Sequence, residues 1–127
     1  MITGAHILLH SQAPEADRAF FRDVLEFPFV DAGHGWLIFA LPAAEAAIHP
    51  TDGDAVPAQV DQGLLGAVLY LMCDDLSGLI RTLEAKGVQH TEVTEERWGM
   101  KTTLRLPSGG EIGLYQPSHP TALGLAR

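Results

Sequence analysis

The sequence predicts an α+β domain in which two βαβββ modules form a cupped mixed sheet with helices on its outer face. Three observations predict it. Most apolar residues fall in short runs of strand length, broken by Gly, Pro and Ala clusters. Two longer stretches instead show helical spacing. The order strand, helix, three strands then occurs twice, at a period of about sixty residues, too long for a solenoid array.

The segment Ala5-His6-Ile7-Leu8-Leu9-His10 is short and apolar and stops at Ser11-Gln12-Ala13-Pro14, which predicts a strand. Over residues 14–25, a proline and acids mark a helix start, and Phe20, Phe21, Val24 and Leu25 share one face. Beyond Phe27-Pro28 the period shortens, and residues 29–31, 35–40 and 45–49 read as three strands. Residues 50–63 are polar, with little apolar periodicity, and form the connector. Residues 65–73 then read as a strand and residues 76–86 as an amphipathic helix that Gly87 stops. Residues 89–93, 100–106 and 111–115 follow as strands, the last two joined by the turn Pro107-Ser108-Gly109-Gly110. The two halves also match at their ends, since Glu111-Ile112-Gly113-Leu114-Tyr115-Gln116-Pro117 parallels Glu45-Ala46-Ala47-Ile48-His49-Pro50. The expected organisation is one domain over residues 1–127, with module 1 at about 3–50, a linker at about 51–64, module 2 at about 65–117 and a tail at 118–127.

Hydrophobic residues make up 46% of the 127 and charged residues 19%, enough apolar material for a packed core and too little charge bias for a disordered chain. The formal charge of −8 repels phosphate backbones, and no basic run makes a local exception, so nucleic acid is not an expected partner. No window approaches the roughly 20 apolar residues that span a bilayer, and the N-terminus has no basic stretch before an apolar run. A cytoplasmic protein without a membrane partner is the expectation. The lone Cys73 lies in an apolar run, where free cysteine acts as a small buried hydrophobe.

Gly4-Ala5-His6-Ile7-Leu8-Leu9 followed by Ala19-Phe20-Phe21-Arg22-Asp23-Val24-Leu25-Glu26-Phe27 resembles the opening strand and helix end of vicinal-oxygen-chelate proteins. The second half repeats the likeness in Cys73-Asp74-Asp75-Leu76, Leu83-Glu84-Ala85-Lys86-Gly87-Val88 and residues 107–115, so that it spans residues 3–117. That superfamily includes glyoxalases, extradiol dioxygenases, epimerases, fosfomycin-modifying enzymes and bleomycin-sequestering proteins, and membership alone does not choose among them. The resemblance implies a divalent ion held on the first and fourth strands of each module, acting as a Lewis acid on vicinal substrate oxygens. Matched residue by residue, one ligand position holds His6, and the other three fall on Val68, Ala47 and Gly113, which have no donor. It also implies a homodimer.

Strand alternation puts His6, Leu8 and His10 on one face, Glu45, Ala47 and His49 on another, and Glu111, Gly113 and Tyr115 on a third. His6 and His10 are roughly 13 Å apart at about 3.3 Å per residue and cannot share an ion. A displaced site of His6, His49 and Glu111 needs shifts of roughly 6.6 Å from the family positions. Tyr70 shares the face of Val68, and Tyr115 that of Gly113, so phenols border the lost ligand positions in a space that Gly113 and Ala47 leave open. Trp36 and Trp98 can stack on a planar ligand or pack in a core, and Lys101 and Arg105 can meet an anion or solvent.

The expected pocket residues are therefore His6, His49, Tyr70, Glu111 and Tyr115, with His6 the one candidate for catalysis as a general base. The leading expectation is a protein that binds a small organic molecule in a cup without a metal or other cofactor. The alternatives are a divalent-metal lyase or dioxygenase with displaced ligands, a metal-free isomerase using His6, or a regulatory protein whose cup is vestigial.

Overall fold

The computed structural model describes residues 1–50, 59–60 and 62–125, and shows an α+β chain with two helices and a mixed sheet. Its contacts separate two units, Met1–Ala40 with Leu106–Gly110 and Leu41–Arg105 with Glu111–Arg127.

In the first unit, α1 (Pro14–Asp23) starts on a proline whose missing N–H costs nothing at that position, with Glu15 and Asp17 facing the helix dipole. Asp17 binds both sides of this start, accepting from the Ser11 hydroxyl at 2.7 Å and from the Ser108 N–H at 3.0 Å. Phe20 and Phe21 are the buried face of the helix. Phe21 meets Phe27 edge-on at 5.8 Å and Phe39 at 5.5 Å. Phe39 belongs to the hairpin of β1 (Phe29–Asp31) and β2 (Leu37–Phe39), which pair antiparallel with Phe29 opposite Phe39. Asp31 accepts from the Gly33 N–H at 2.7 Å, the local bond that turns the chain between them.

The second unit carries a short hairpin, β3 (Gln59–Val60) and β4 (Leu64–Leu65), and then a complete βαβββ module. That module runs β5 (Tyr70–Met72), α2 (Leu76–Ala85), β6 (Thr94–Glu96), β7 (Gly99–Arg105) and β8 (Glu111–Pro117). The sheet order is β5-β8-β7-β6, with β5 parallel to β8 and the other pairs antiparallel. Asp75 caps α2, accepting from the Gly78 N–H at 3.0 Å. At the other end the Gly87 N–H reaches the Glu84 carbonyl and the Val88 N–H reaches that of Leu83. This is a Schellman closure, and the φ of +80° at Gly87 is why glycine stands there. Leu76, Ile80 and Leu83 are buried on the inner stripe of α2. Leu104, Ile112 and Leu114 are buried on the sheet, where α2 packs against β8.

Several expected strands differ. Residues 5–10 and 45–49 form no regular strand, so the first half shows its helix and two middle strands only. An apolar run becomes a strand only when a neighbour takes its backbone groups, and Ile7, Leu8 and Leu9 are all exposed. The expected strand at 89–93 is reduced to a single bridge, His90 to Leu104, and the regular strand begins at Thr94. The cause is Thr91, whose hydroxyl accepts from the Thr103 N–H at 2.9 Å, while its carbonyl accepts from the Thr102 hydroxyl at 2.7 Å. Side chains thus take bonds a ladder would use. Of the expected connector, residues 51–58 and 61 lie outside the described residues, and part of the remainder is the β3–β4 hairpin.

Candidate functional site

The alternation of β8 sorts its side chains into two sets. Ile112 and Leu114 turn to the helix side and are buried, and Glu111, Gly113 and Tyr115 occupy the opposite face. The register adds Tyr70 beside Gly113, Met72 beside Tyr115, and Lys101 and Thr103 from β7. The expected proximity of Tyr70 and Tyr115 is therefore present, and Glu111 shares their face, accepting from the Thr103 hydroxyl at 2.7 Å.

Trp98, just before β7, completes an aromatic cluster. Its ring lies 5.8 Å from Tyr70 and 5.0 Å from Tyr115, and the two tyrosines are 5.7 Å apart. Interplanar angles of 79°, 84° and 87° make every pair edge-to-face, the arrangement ring quadrupoles favour. The space over Gly113 is not open as expected: the Tyr70 ring lies on its Cα, where a Cβ would overlap ring atoms. Tyr115 is only 8% exposed, whereas Tyr70 remains 39% exposed and the Lys101 ammonium stands 6.0 Å over its ring.

The chain after β8 folds back over this cluster. His119 stacks on Tyr115 at 5.9 Å, and its Nε2 and the Tyr115 hydroxyl share a hydrogen bond of 3.0 Å. The Ser118 N–H donates to the Trp98 carbonyl at 2.9 Å, and the Ala122 N–H donates to Glu45 at 2.7 Å. Burial, then the nearby Glu45 carboxylate and then Tyr70 push the Tyr115 phenol above its ordinary pKa, so it is a neutral hydroxyl at pH 7. Sequence reasoning missed His119 and Glu45, because the tail has no period and Glu45 sits in a segment expected to be a strand.

His49 is exposed outside any regular element, and His6 is exposed in the first unit. Neither makes a hydrogen bond among the described residues. Among the described residues of either unit, no three His, Cys, Asp or Glu side chains converge as metal ligands. The residues present do not fit the ion that the resemblance implies. Val68, Ala47 and Gly113 offer no donor, and Tyr70 fills the place a longer side chain at 113 would take.

Two other features carry less chemistry. An apolar groove of about 320 Å³ in the first unit, lined by Pro28, Phe29, Val30, Ile38, Phe39 and Ala40, has shape but no polar side chain. Cys73 is a half-buried thiol whose Sγ lies 3.6 Å from the Tyr115 carbonyl, and burial pushes its pKa up, away from thiolate chemistry.

No protein-family profile matches the chain, and no curated protein matches it. Solved structures do. TnmS3, an antibiotic binding protein from Streptomyces sp. CB03234, is 23% identical with a TM-score of 0.60, over 93% of this chain and 100% of its own. A lactoylglutathione lyase from Agrobacterium tumefaciens is 16% identical with a TM-score of 0.60, over 90% and 92%. A member of the glyoxalase/bleomycin resistance protein/dioxygenase superfamily from Sphaerobacter thermophilus is 20% identical with a TM-score of 0.54, over 91% and 98%. The fold is that of the glyoxalase/bleomycin resistance protein/dioxygenase superfamily. Within this superfamily fold, the aromatic cluster occupies the β8 face at the position where the resemblance implies a metal ligand.

Proposed function

We propose that the protein binds a small organic molecule with a planar aromatic ring on the face formed by Tyr70, Trp98 and Tyr115, without a metal. The observation that carries this is the edge-to-face cluster standing at the donorless Gly113, with Tyr70 still 39% exposed. Such a face gives a flat ligand apolar area and ring contacts worth about 0.5–1.5 kcal/mol each beyond burial. That the neighbour TnmS3 is an antibiotic binding protein accords with the binding of a small organic molecule. Calorimetric titration with 2-naphthol tests it: saturable binding that Tyr70→Ala and Trp98→Ala each weaken about 10-fold is expected, roughly 1.4 kcal/mol. Binding unchanged in both variants sinks the reading, as does a stoichiometric divalent ion held by His6 in protein purified without chelator.

The enzyme alternatives rest on His6, and turnover of a substrate that His6→Ala abolishes would favour them. Tyr70 covering Gly113 favours one further reading, a regulatory protein whose cup is closed by its own side chains. Failure of every aromatic probe to bind supports it. The proposed working form is a homodimer, since Ile7, Leu8, Leu9 and Val68 leave apolar area exposed on each chain.

A further inference from the structure

The neighbours of the Tyr115–His119 pair determine where its protons lie. The Pro120 carbonyl is 2.7 Å from His119 Nδ1, and a carbonyl only accepts, so Nδ1 carries a proton. A neutral imidazole protonated at Nδ1 has a bare lone pair at Nε2. The Tyr115 hydroxyl, 3.0 Å from Nε2, therefore donates its single proton to His119. What remains on the phenol oxygen is acceptor capacity. Glu45 acts in the same sense: one oxygen accepts from the Ala122 N–H at 2.7 Å, and the other makes no hydrogen bond among the described residues. The tail-side edge of the aromatic cluster is thus a set of acceptors, in surroundings dry enough to leave Tyr115 only 8% exposed.

We propose that His119 is a positioning residue that makes Tyr115 an acceptor-only contact, so that this site selects aromatic molecules bearing a hydroxyl or N–H donor on the ring edge. Phenols and aromatic amines fit this requirement. Aryl ethers and quinones, which offer only lone pairs, place acceptor against acceptor and leave a buried oxygen unpaired. This inference rests on the aromatic face being the ligand site, and goes beyond it by naming the polarity of the ligand.

The test compares 2-naphthol with 2-methoxynaphthalene, which have the same ring and the same oxygen and differ in the donor. Calorimetry on the full chain at pH 7.5 is expected to give about 10-fold tighter binding of the naphthol, the ratio of about 1.4 kcal/mol for one hydrogen bond. Tyr115→Phe removes the acceptor and brings the two ligands to similar affinity. His119→Ala keeps the acceptor but frees the phenol to turn and donate, so the ratio falls toward unity while the ether binds better. A merely structural His119 would weaken both ligands alike and leave the ratio intact, which overturns the proposal. Nitrogen NMR of the free protein reads the same point without ligand: the Nδ1–H tautomer of His119 is expected, and the Nε2–H tautomer overturns it. If 2-naphthol and its ether bind equally, the donor preference is wrong and the aromatic site stands. If neither binds, the aromatic site itself fails and the preference with it.

Discussion

His90 shows at a single residue how acceptors on both sides of an imidazole act on stability. Its Nδ1 lies 2.7 Å from the Thr91 carbonyl and its Nε2 2.9 Å from the Glu84 carboxylate. Neither partner can donate, so the arrangement is complete only with both ring nitrogens protonated. The bond to Glu84, then that to Thr91, raises the His90 pKa above the ordinary 6.5. The folded chain holds this proton more tightly than the unfolded one, so the contribution is fully present below about pH 6.5 and is lost as pH rises through the folded value. Glu84 is 56% exposed, which screens the pair and holds the effect below about 1 kcal/mol. Urea unfolding at pH 6 and pH 8 is expected to show this loss in the wild type, and His90→Gln is expected to flatten that part of the profile. An unchanged pH difference in His90→Gln would assign it to other groups. Gly113 is the second residue with a sharp consequence. A Cβ there overlaps the Tyr70 ring, so Gly113→Ala is expected to cost about 1–3 kcal/mol and to change the near-ultraviolet aromatic dichroism. In a Tyr70→Ala background the penalty should largely vanish. A full penalty in that background would mean that the backbone, not the ring, rejects the methyl group.

Among the elements, those built from local signals were the ones legible in the sequence. The helix 76–86 was bounded at its end by Gly87, which acts as the expected left-handed stop, while the cap at its start, Asp75, emerges only in the structure. Asp75→Ala is expected to lower stability by about 1 kcal/mol, read from the unfolding midpoint, because it removes the bond to the Gly78 N–H. No change would mean that the Gln116 carboxamide, which accepts from the Leu76 N–H at 2.9 Å, suffices for the first turn. The strands of β7 and β8 were legible because the Pro107-Ser108-Gly109-Gly110 turn sets their register locally. The strand at 89–93 was not, since its position in the repeated element order says nothing of the Thr91 and Thr102 hydroxyls that displace the ladder. The site divides the same way. Tyr70 and Tyr115 followed from parity on neighbouring strands, whereas His119 reaches Tyr115 through a fold-back that no period announces. The open space expected over Gly113 failed for a third reason: parity gives the face of Tyr70 but not its rotamer, and ring atoms occupy the place a Cβ would take.

At the scale of the whole molecule, the unpaired segment 5–10 sets the test of whether two copies associate. Its apolar character and length are those of a strand, yet Leu8 is 62% exposed and the segment pairs with nothing among the described residues. A run of three exposed large apolar residues, Ile7, Leu8 and Leu9, on a backbone with unused hydrogen-bond groups is the kind of edge that another strand completes. If a second copy completes it, light scattering behind gel filtration gives twice the 13.7 kDa of one chain, and the mass falls toward the single value on dilution. Leu8→Glu separates this from a segment that is merely exposed. On a solvent-facing monomer segment the change stays within about 0.5 kcal/mol, whereas at a buried contact between copies it removes the dimer and lowers the unfolding midpoint in a concentration-dependent way. A wild-type chain that stays at the single mass at high micromolar concentration, with Leu8→Glu neutral, would place residues 5–10 in solvent.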